Sequence, residues 1–272
     1  MNTIKLDAHD QAAGLRRLFN ARGAQVIALT SAAIVQGRAQ LLAGAAATLA
    51  ARGRRVLLLD ENPAPRNASS LLLGSLRNGA DLLQVIRGET TLAQAVLRVN
   101  RNLSVLSVDR LANAELPLTR RLADLLQQIE DGHDLVLVDC SASRTARIST
   151  LGLQARALVI AVTAESNGIM QAYAQIKRLA QFHQREQFQI LISGKIDRDE
   201  ARVIFNNLRQ VAVEHLGVRL GYLGLVNPGR AEMLADLLDT GLSMQGTDLG
   251  ALSGLAAALG LEMGMGAQNS VV

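Results

Sequence analysis

Short apolar runs separated by longer stretches of helical spacing set the plan of this chain. Val26-Ile27-Ala28-Leu29-Thr30, Val56-Leu57-Leu58-Leu59-Asp60 and Leu135-Val136-Leu137-Val138-Asp139 are apolar at nearly every position, the pattern of strands covered on both faces. Comparable runs fall near 103–108, 158–163, 189–193 and 219–225. Between them, apolar residues recur at three- and four-residue spacing and predict helices near 40–51, 80–86, 92–98, 118–130, 145–153, 168–183, 199–215, 229–238 and 248–261. Strands alternating with helices predict an α/β fold, doubly wound, with a mostly parallel sheet and helices on both faces. No internal repeat or low-complexity block interrupts the pattern. Residues 23–246 read as one α/β domain, with a short helix and linker over 1–22 and a final helix and frayed tail over 247–272.

The connection after the first strand, Ser31 to Ala39, leads straight into the Ala/Leu-rich helix. Strand, loop and helix in that order make the frame of a phosphate-binding loop. Such a loop uses glycines so that backbone N–H groups fold around phosphate, a Lys for the β/γ-phosphates and a Ser/Thr hydroxyl for Mg²⁺. Here Gly37 is the one glycine, Arg38 stands in the lysine position and Ala39 in the hydroxyl position. No lysine occurs between Lys5 and Lys177 to substitute. Asp60 and Asp139 end two of the apolar strands; they are either the carboxylates that hold a metal in such folds or polar strand ends in solvent. Arg38 could grip phosphate as a fork, but it is longer and bulkier than the lysine a tight loop accepts. The Pro63-Ala64-Pro65 stretch blocks regular structure directly after the second strand.

These segments resemble the MinD/ParA class of P-loop ATPases, whose first strand is followed by a loop of the form GKGGVGKT and whose second ends in DAD. Aligned without gaps, that loop is Ala32 to Ala39. The class's signature lysine is Ala33, its phosphate-binding lysine Arg38 and its Mg²⁺ threonine Ala39. The DAD is Asp60-Glu61-Asn62, which keeps the first Asp and replaces the one that positions attacking water. The later D-x-x-x-G becomes Asp139 to Ser143. The resemblance implies a P-loop NTPase fold with an altered nucleotide site, and no cofactor is expected: ATP and Mg²⁺ enter only if the altered loop still binds.

The start of the chain is similar to the DQAxxLRxL helix of the FlhG (FleN) subgroup of flagellar-number regulators. Asp10, Gln11, Leu15, Arg16, Leu18 and Phe19 carry that pattern. In the subgroup this helix touches the FlhF-type GTPase and stimulates its hydrolysis, so the resemblance implies such a partner and a regulatory role in flagellum biogenesis. The plain alternative is a helix packed on its own domain, because Leu15, Leu18 and Phe19 have the spacing of any amphipathic helix. Ser70 to Gly74 and Ala172-Tyr173-Ala174 with Ile176-Lys177 match further subgroup segments.

Composition narrows the rest. Aromatic residues are 2% of the chain, which leaves no stacking platform for single-stranded nucleic acid. Cys140 is the single cysteine, so no internal disulfide forms and a reducing compartment fits. His9, His133, His183 and His215 are scattered without catalytic or metal-ligand spacing. The start is polar and no apolar stretch approaches a membrane span, so the expected location is the cytoplasm, with recruitment to the cell pole implied by the resemblance. All 28 Lys and Arg lie at or before Arg230 with 19 of the 24 acids, giving a body of about +9 and a tail of about −5. That tail has no Lys or Arg to support membrane attachment by a basic helix. Three readings stay open: a pseudo-ATPase regulator, a slow Mg-ATPase using Arg38, and a ParA-like DNA-associated positioning protein without sequence preference.

Overall fold

A computed structural model describes residues 24–31, 37–65, 67–74, 79–111, 120–140 and 148–241. Among these, eight strands form one sheet: β1 (Gln25–Ser31), β2 (Val56–Asp60), β3 (Leu97–Arg98), β4 (Leu103–Ser107), β5 (Leu135–Asp139), β6 (Ala157–Thr163), β7 (Gln187–Ser193) and β8 (Arg219–Val226). Their order is β3-β4-β2-β5-β1-β6-β7-β8. All neighbouring pairs are parallel except β3–β4. The helices are α1 (Arg38–Ala51), α2 (Ala68–Leu73), α3 (Leu82–Arg87), α4 (Leu92–Ala95), α5 (Arg120–Gly132), α6 (Thr150–Gln154), α7 (Ser166–His183), α8 (Arg198–Leu216) and α9 (Ala231–Gly241).

Period-two alternation along the strands divides the core into two layers. Ile27, Leu29, Val56, Leu58, Leu135 and Leu137 pack on Leu41, Leu42, Ala45, Ala46 and Leu49 of α1 and on Leu234, Ala235 and Leu238 of α9. Val26, Ala28, Leu57, Leu59, Val136 and Val138 face the other way, toward Leu125, Leu126 and Ile129 of α5, Ala172 and Ile176 of α7, and Phe205 and Leu208 of α8. Small residues let α1 and α9 approach closely: a Cβ added at Gly44 would lie 2.4 Å from that of Ala231. Every predicted strand is present and the doubly wound, mostly parallel sheet is observed.

The differences are local. The helix predicted over 92–98 stops at Ala95, and Leu97–Arg98 turns back antiparallel on β4. Asn100 closes that turn, its Oδ1 accepting the amides of Asn102 and Leu103, both at 2.9 Å. Helix α2 was not expected from spacing. It is capped by Asn67, whose side chain accepts the Ser70 amide at 2.9 Å. Arg38 and Ala39, read as loop, form the first turn of α1 behind Gly37, which is left-handed at φ 78. The amino-terminal helix, the loop residues Ala32 and Ala33 and the helix predicted over 248–261 lie outside the described residues, as does the start of the one predicted over 145–153.

The sign asymmetry of the sequence has a structural counterpart. Arg52 and Arg54, in the turn after α1, pair with Asp236 at 2.6 Å and Asp239 at 2.9 Å on α9, and Arg55 pairs with Asp134 at 2.6 Å. Surface pairs of this kind add little stability. They do occupy the densest run of arginines in the described body with the chain's own acids.

Glu130 of α5 is an exception to good polar bookkeeping. It is 2% exposed, and neither carboxylate oxygen has a hydrogen-bond partner. Burial first, and the neighbouring Asp131 second, push its pKa up to about 7. A carboxyl raised on folding contributes stability below its unfolded pKa that is lost as pH climbs toward the folded value. Glu130→Met removes this term, so the variant's advantage over the wild type widens by about 1–3 kcal/mol between pH 5 and pH 8, read from urea denaturation at both pH values.

Candidate functional site

Parallel register brings the sequence-predicted carboxylates together. Asp60 and Asp139 are direct cross-strand partners in β2–β5, at the carboxyl ends of adjacent central strands. Both are completely buried, so the solvated-strand-end reading does not hold. By strand alternation they face the α1 layer, and Arg38 at the first position of α1 reaches over them.

The Arg38 side chain is 10% exposed. Its Nη1 donates to Asp139 Oδ1 in a short ion pair and to the Cys140 carbonyl at 2.9 Å. Its Nη2 donates to Asn62 Oδ1 at 3.0 Å. The planar fork thus ties the end of β5 to the residue two past the end of β2, a task for which a lysine has no geometry. Asn62 completes the frame: its Nδ2 donates to Asp60 Oδ1 at 3.2 Å and to the Asp139 carbonyl at 3.1 Å.

Asp60 is committed to the backbone. Its Oδ1 also accepts the Asn62 amide at 3.0 Å, and Oδ2 accepts the Ser69 amide at 2.7 Å from the first turn of α2. Asp139 is less well served, with Oδ2 buried and unpartnered. Burial pushes its pKa up to about 7; Arg38 and the Asn62 hydrogen bond pull it down, while Asp60 and Glu61 push it up.

Glu61, Ser149 and Ser69 were not singled out by sequence reasoning. Glu61 is 2% exposed and sits on the opposite face of the sheet from Asp60. Its Oε1 accepts a short hydrogen bond from the Ser149 hydroxyl. The available signal was a glutamate inside a three-residue strand end that otherwise carries small residues in the class.

The Mg²⁺–nucleotide chemistry implied by the fold can be tested against these residues. A metal site needs free carboxylate oxygens and a hydroxyl, and a phosphate site needs a cation turned outward. Asp60 spends both oxygens on amides, Asp139 gives Oδ1 to Arg38 and keeps only Oδ2 unengaged, Ala39 carries no hydroxyl, and Arg38 is turned inward. Among the described residues no group of three or more His, Cys, Asp or Glu is arranged to hold a metal ion. As placed, Arg38 and Ala39 offer Mg²⁺–nucleotide neither a phosphate-facing cation nor a hydroxyl; residues 32–36 of the loop lie outside the described residues.

Removing the guanidinium leaves Asp139 buried beside two other carboxyls. Arg38→Ala is expected to cost about 3 kcal/mol at pH 8 by chemical denaturation. Without its main lowering influence the Asp139 pKa moves above about 7, so the loss of stability with rising pH extends further than in the wild type. The penalty is accordingly smaller at pH 5, where Asp139 is protonated in both proteins.

Comparisons with known proteins agree with the fold. The family described as an AAA domain matches residues 26–190. The antiactivator FleN of Pseudomonas aeruginosa is 27% identical over 216 residues, covering 78% of this chain and 76% of FleN. The septum site-determining protein MinD of a Synechocystis strain is 25% identical over 150 residues, covering 54% of this chain and 56% of MinD. Among solved structures, a plasmid partition protein of Borrelia burgdorferi superposes with a TM-score of 0.58 at 16% identity, covering 82% of this chain and all of that one. MinD of Pyrococcus horikoshii complexed with Mg-ADP gives 0.53 at 16% identity, covering 79% and 85%. At these identities the structures speak for the fold, and the family match carries the assignment: the chain belongs to the AAA domain family, with the P-loop NTPase fold of the MinD/ParA type.

Proposed function

We propose that this protein is a non-hydrolysing, FlhG-like regulator that controls the number or placement of polar flagella by contact with an FlhF-type GTPase. The observation that carries the reading is the inward-turned Arg38. At the position where the family holds a phosphate-binding lysine, a guanidinium instead satisfies Asp139, Asn62 and the Cys140 carbonyl. An internal cation in that place makes the arrangement of the strand ends independent of ATP. A regulator built this way works by presenting surfaces, and the amino-terminal Gln11, Leu15 and Arg16 supply one suited to the GTPase. The resemblance to the antiactivator FleN supports the regulatory setting.

The runner-up, a slow Mg-ATPase, draws on one observation: Asp60 and Asp139 remain side by side at the family's strand ends. It requires Arg38 to leave Asp139 and turn outward. A DNA-associated role finds less support, since Arg52, Arg54 and Arg55 are engaged by Asp236, Asp239 and Asp134.

The test is stimulation of GTP hydrolysis by a purified FlhF-type GTPase. The full chain is expected to stimulate to the same extent with and without ATP, and Gln11→Ala is expected to lose most of the effect. Absence of stimulation, or stimulation only with ATP, contradicts the proposal.

A further inference from the structure

The Arg38 network lies on one face of the sheet; a second buried polar network lies on the other, and it ties together different parts of the chain. Strand alternation sends Glu61 and Cys140, each one residue past a strand-ending Asp, away from α1. Glu61 Oε1 accepts the Ser149 hydroxyl, and the Cys140 thiol packs beside the same carboxyl, both lying around Gly152. Ser149 in turn caps α6, its Oγ accepting the Gly152 amide at 3.1 Å. Glu61, Cys140 and Ser149 are 2%, 0% and 3% exposed. The packing leaves no slack: a Cβ on Gly152 would meet Cys140 Sγ and an Ile148 methyl, each at 2.6 Å, and Glu61 Oε1 at 3.7 Å.

The backbone on either side is fixed as well. The Glu61 amide donates to the Asp139 carbonyl at 3.1 Å, and the Cys140 amide to the Leu29 carbonyl at 3.0 Å. One carboxyl therefore connects the end of β2, the end of β5 and the start of α6. A carboxyl held by a hydroxyl inside a low-dielectric interior is costly to release, because each partner left behind is a buried unsatisfied group.

We propose that Glu61 is a latch: it holds the entrance of α6 against the ends of β2 and β5 in a single arrangement, whether or not a ligand meets the strand ends on the opposite face. The latch does not rest on Arg38 excluding nucleotide, because none of its side chains belongs to the Arg38 network.

The single cysteine is a built-in reporter, since a completely buried thiol reacts only when its surroundings open. Reaction of Cys140 with Ellman's reagent is expected to be slow in the full chain. It becomes about ten- to a hundredfold faster in Glu61→Ala, and by a comparable factor in Ser149→Ala, which keeps the carboxyl and removes its hydroxyl partner. Glu61→Gln, whose amide oxygen still accepts the Ser149 hydroxyl, stays within about threefold of the wild type. The accelerated rates depend weakly on urea, as local opening does; acceleration that follows the full denaturant dependence of global unfolding overturns the latch in favour of plain destabilisation. Wild-type rates in both alanine variants overturn it too. Millimolar Mg-ATP, with binding measured in parallel, leaves the wild-type rate unchanged. Should nucleotide bind without changing that rate, the pseudo-ATPase reading fails and the latch stands; should it bind and accelerate the reaction, the latch fails.

Discussion

One buried ion pair organises the centre of this molecule. Parallel pairing of β2 with β5 places Asp60 directly opposite Asp139, and Glu61 follows on the reverse face, so three carboxyls are confined to the middle of one sheet edge. Left to themselves, such groups repel one another and resist desolvation. Each is satisfied differently. Asp60 takes backbone amides from Asn62 and from the first turn of α2, Glu61 takes the Ser149 hydroxyl, and Asp139 takes the Arg38 guanidinium. Only the last involves a full opposite charge, and the position of α1, the turn at Gly37 and the orientation of Asn62 all serve to deliver it.

In a P-loop ATPase of this type, a bound nucleotide and its metal would supply positive charge and hydrogen bonds at the same strand ends. A permanent internal cation makes the apo arrangement self-sufficient. The energetic logic favours keeping it: turning Arg38 outward would strand a carboxyl whose pKa already stands at about 7 with the guanidinium in place. On the proposed reading, strand ends satisfied in this way need no ligand, which suits a regulator that acts through surfaces. The latch around Glu61 extends the same principle across the sheet, where the Ser149 hydroxyl satisfies a third buried carboxyl.

The sheet and its order of layers were legible in the sequence because fully covered parallel strands are apolar at almost every position and stand out from amphipathic helices. Asp60 and Asp139 were legible for the same reason, as the polar residues that end Val56–Asp60 and Leu135–Asp139. What stayed hidden was conveyed by side-chain geometry with no periodic signal. Helix α2 follows Pro63 and Pro65 and rests on the Asn67 cap. The short β3 strand depends on the turn closed by Asn100. Sequence marked Arg38 as a departure from the lysine, but whether it pointed out toward a phosphate or in toward Asp139 was a matter of rotamer and of Asn62. Glu61 looked like an incidental change beside Asp60 until its distance to Ser149, across a gap of 88 residues, could be seen.

If Arg38 takes the place of the nucleotide's cation partners, calorimetric titration of the purified full chain with Mg-ATP will show it. With Arg38 turned inward, no saturable heat appears up to millimolar ATP. Saturable binding with a micromolar Kd would contradict it, because Arg38 would then have released Asp139 to rebuild a working phosphate loop.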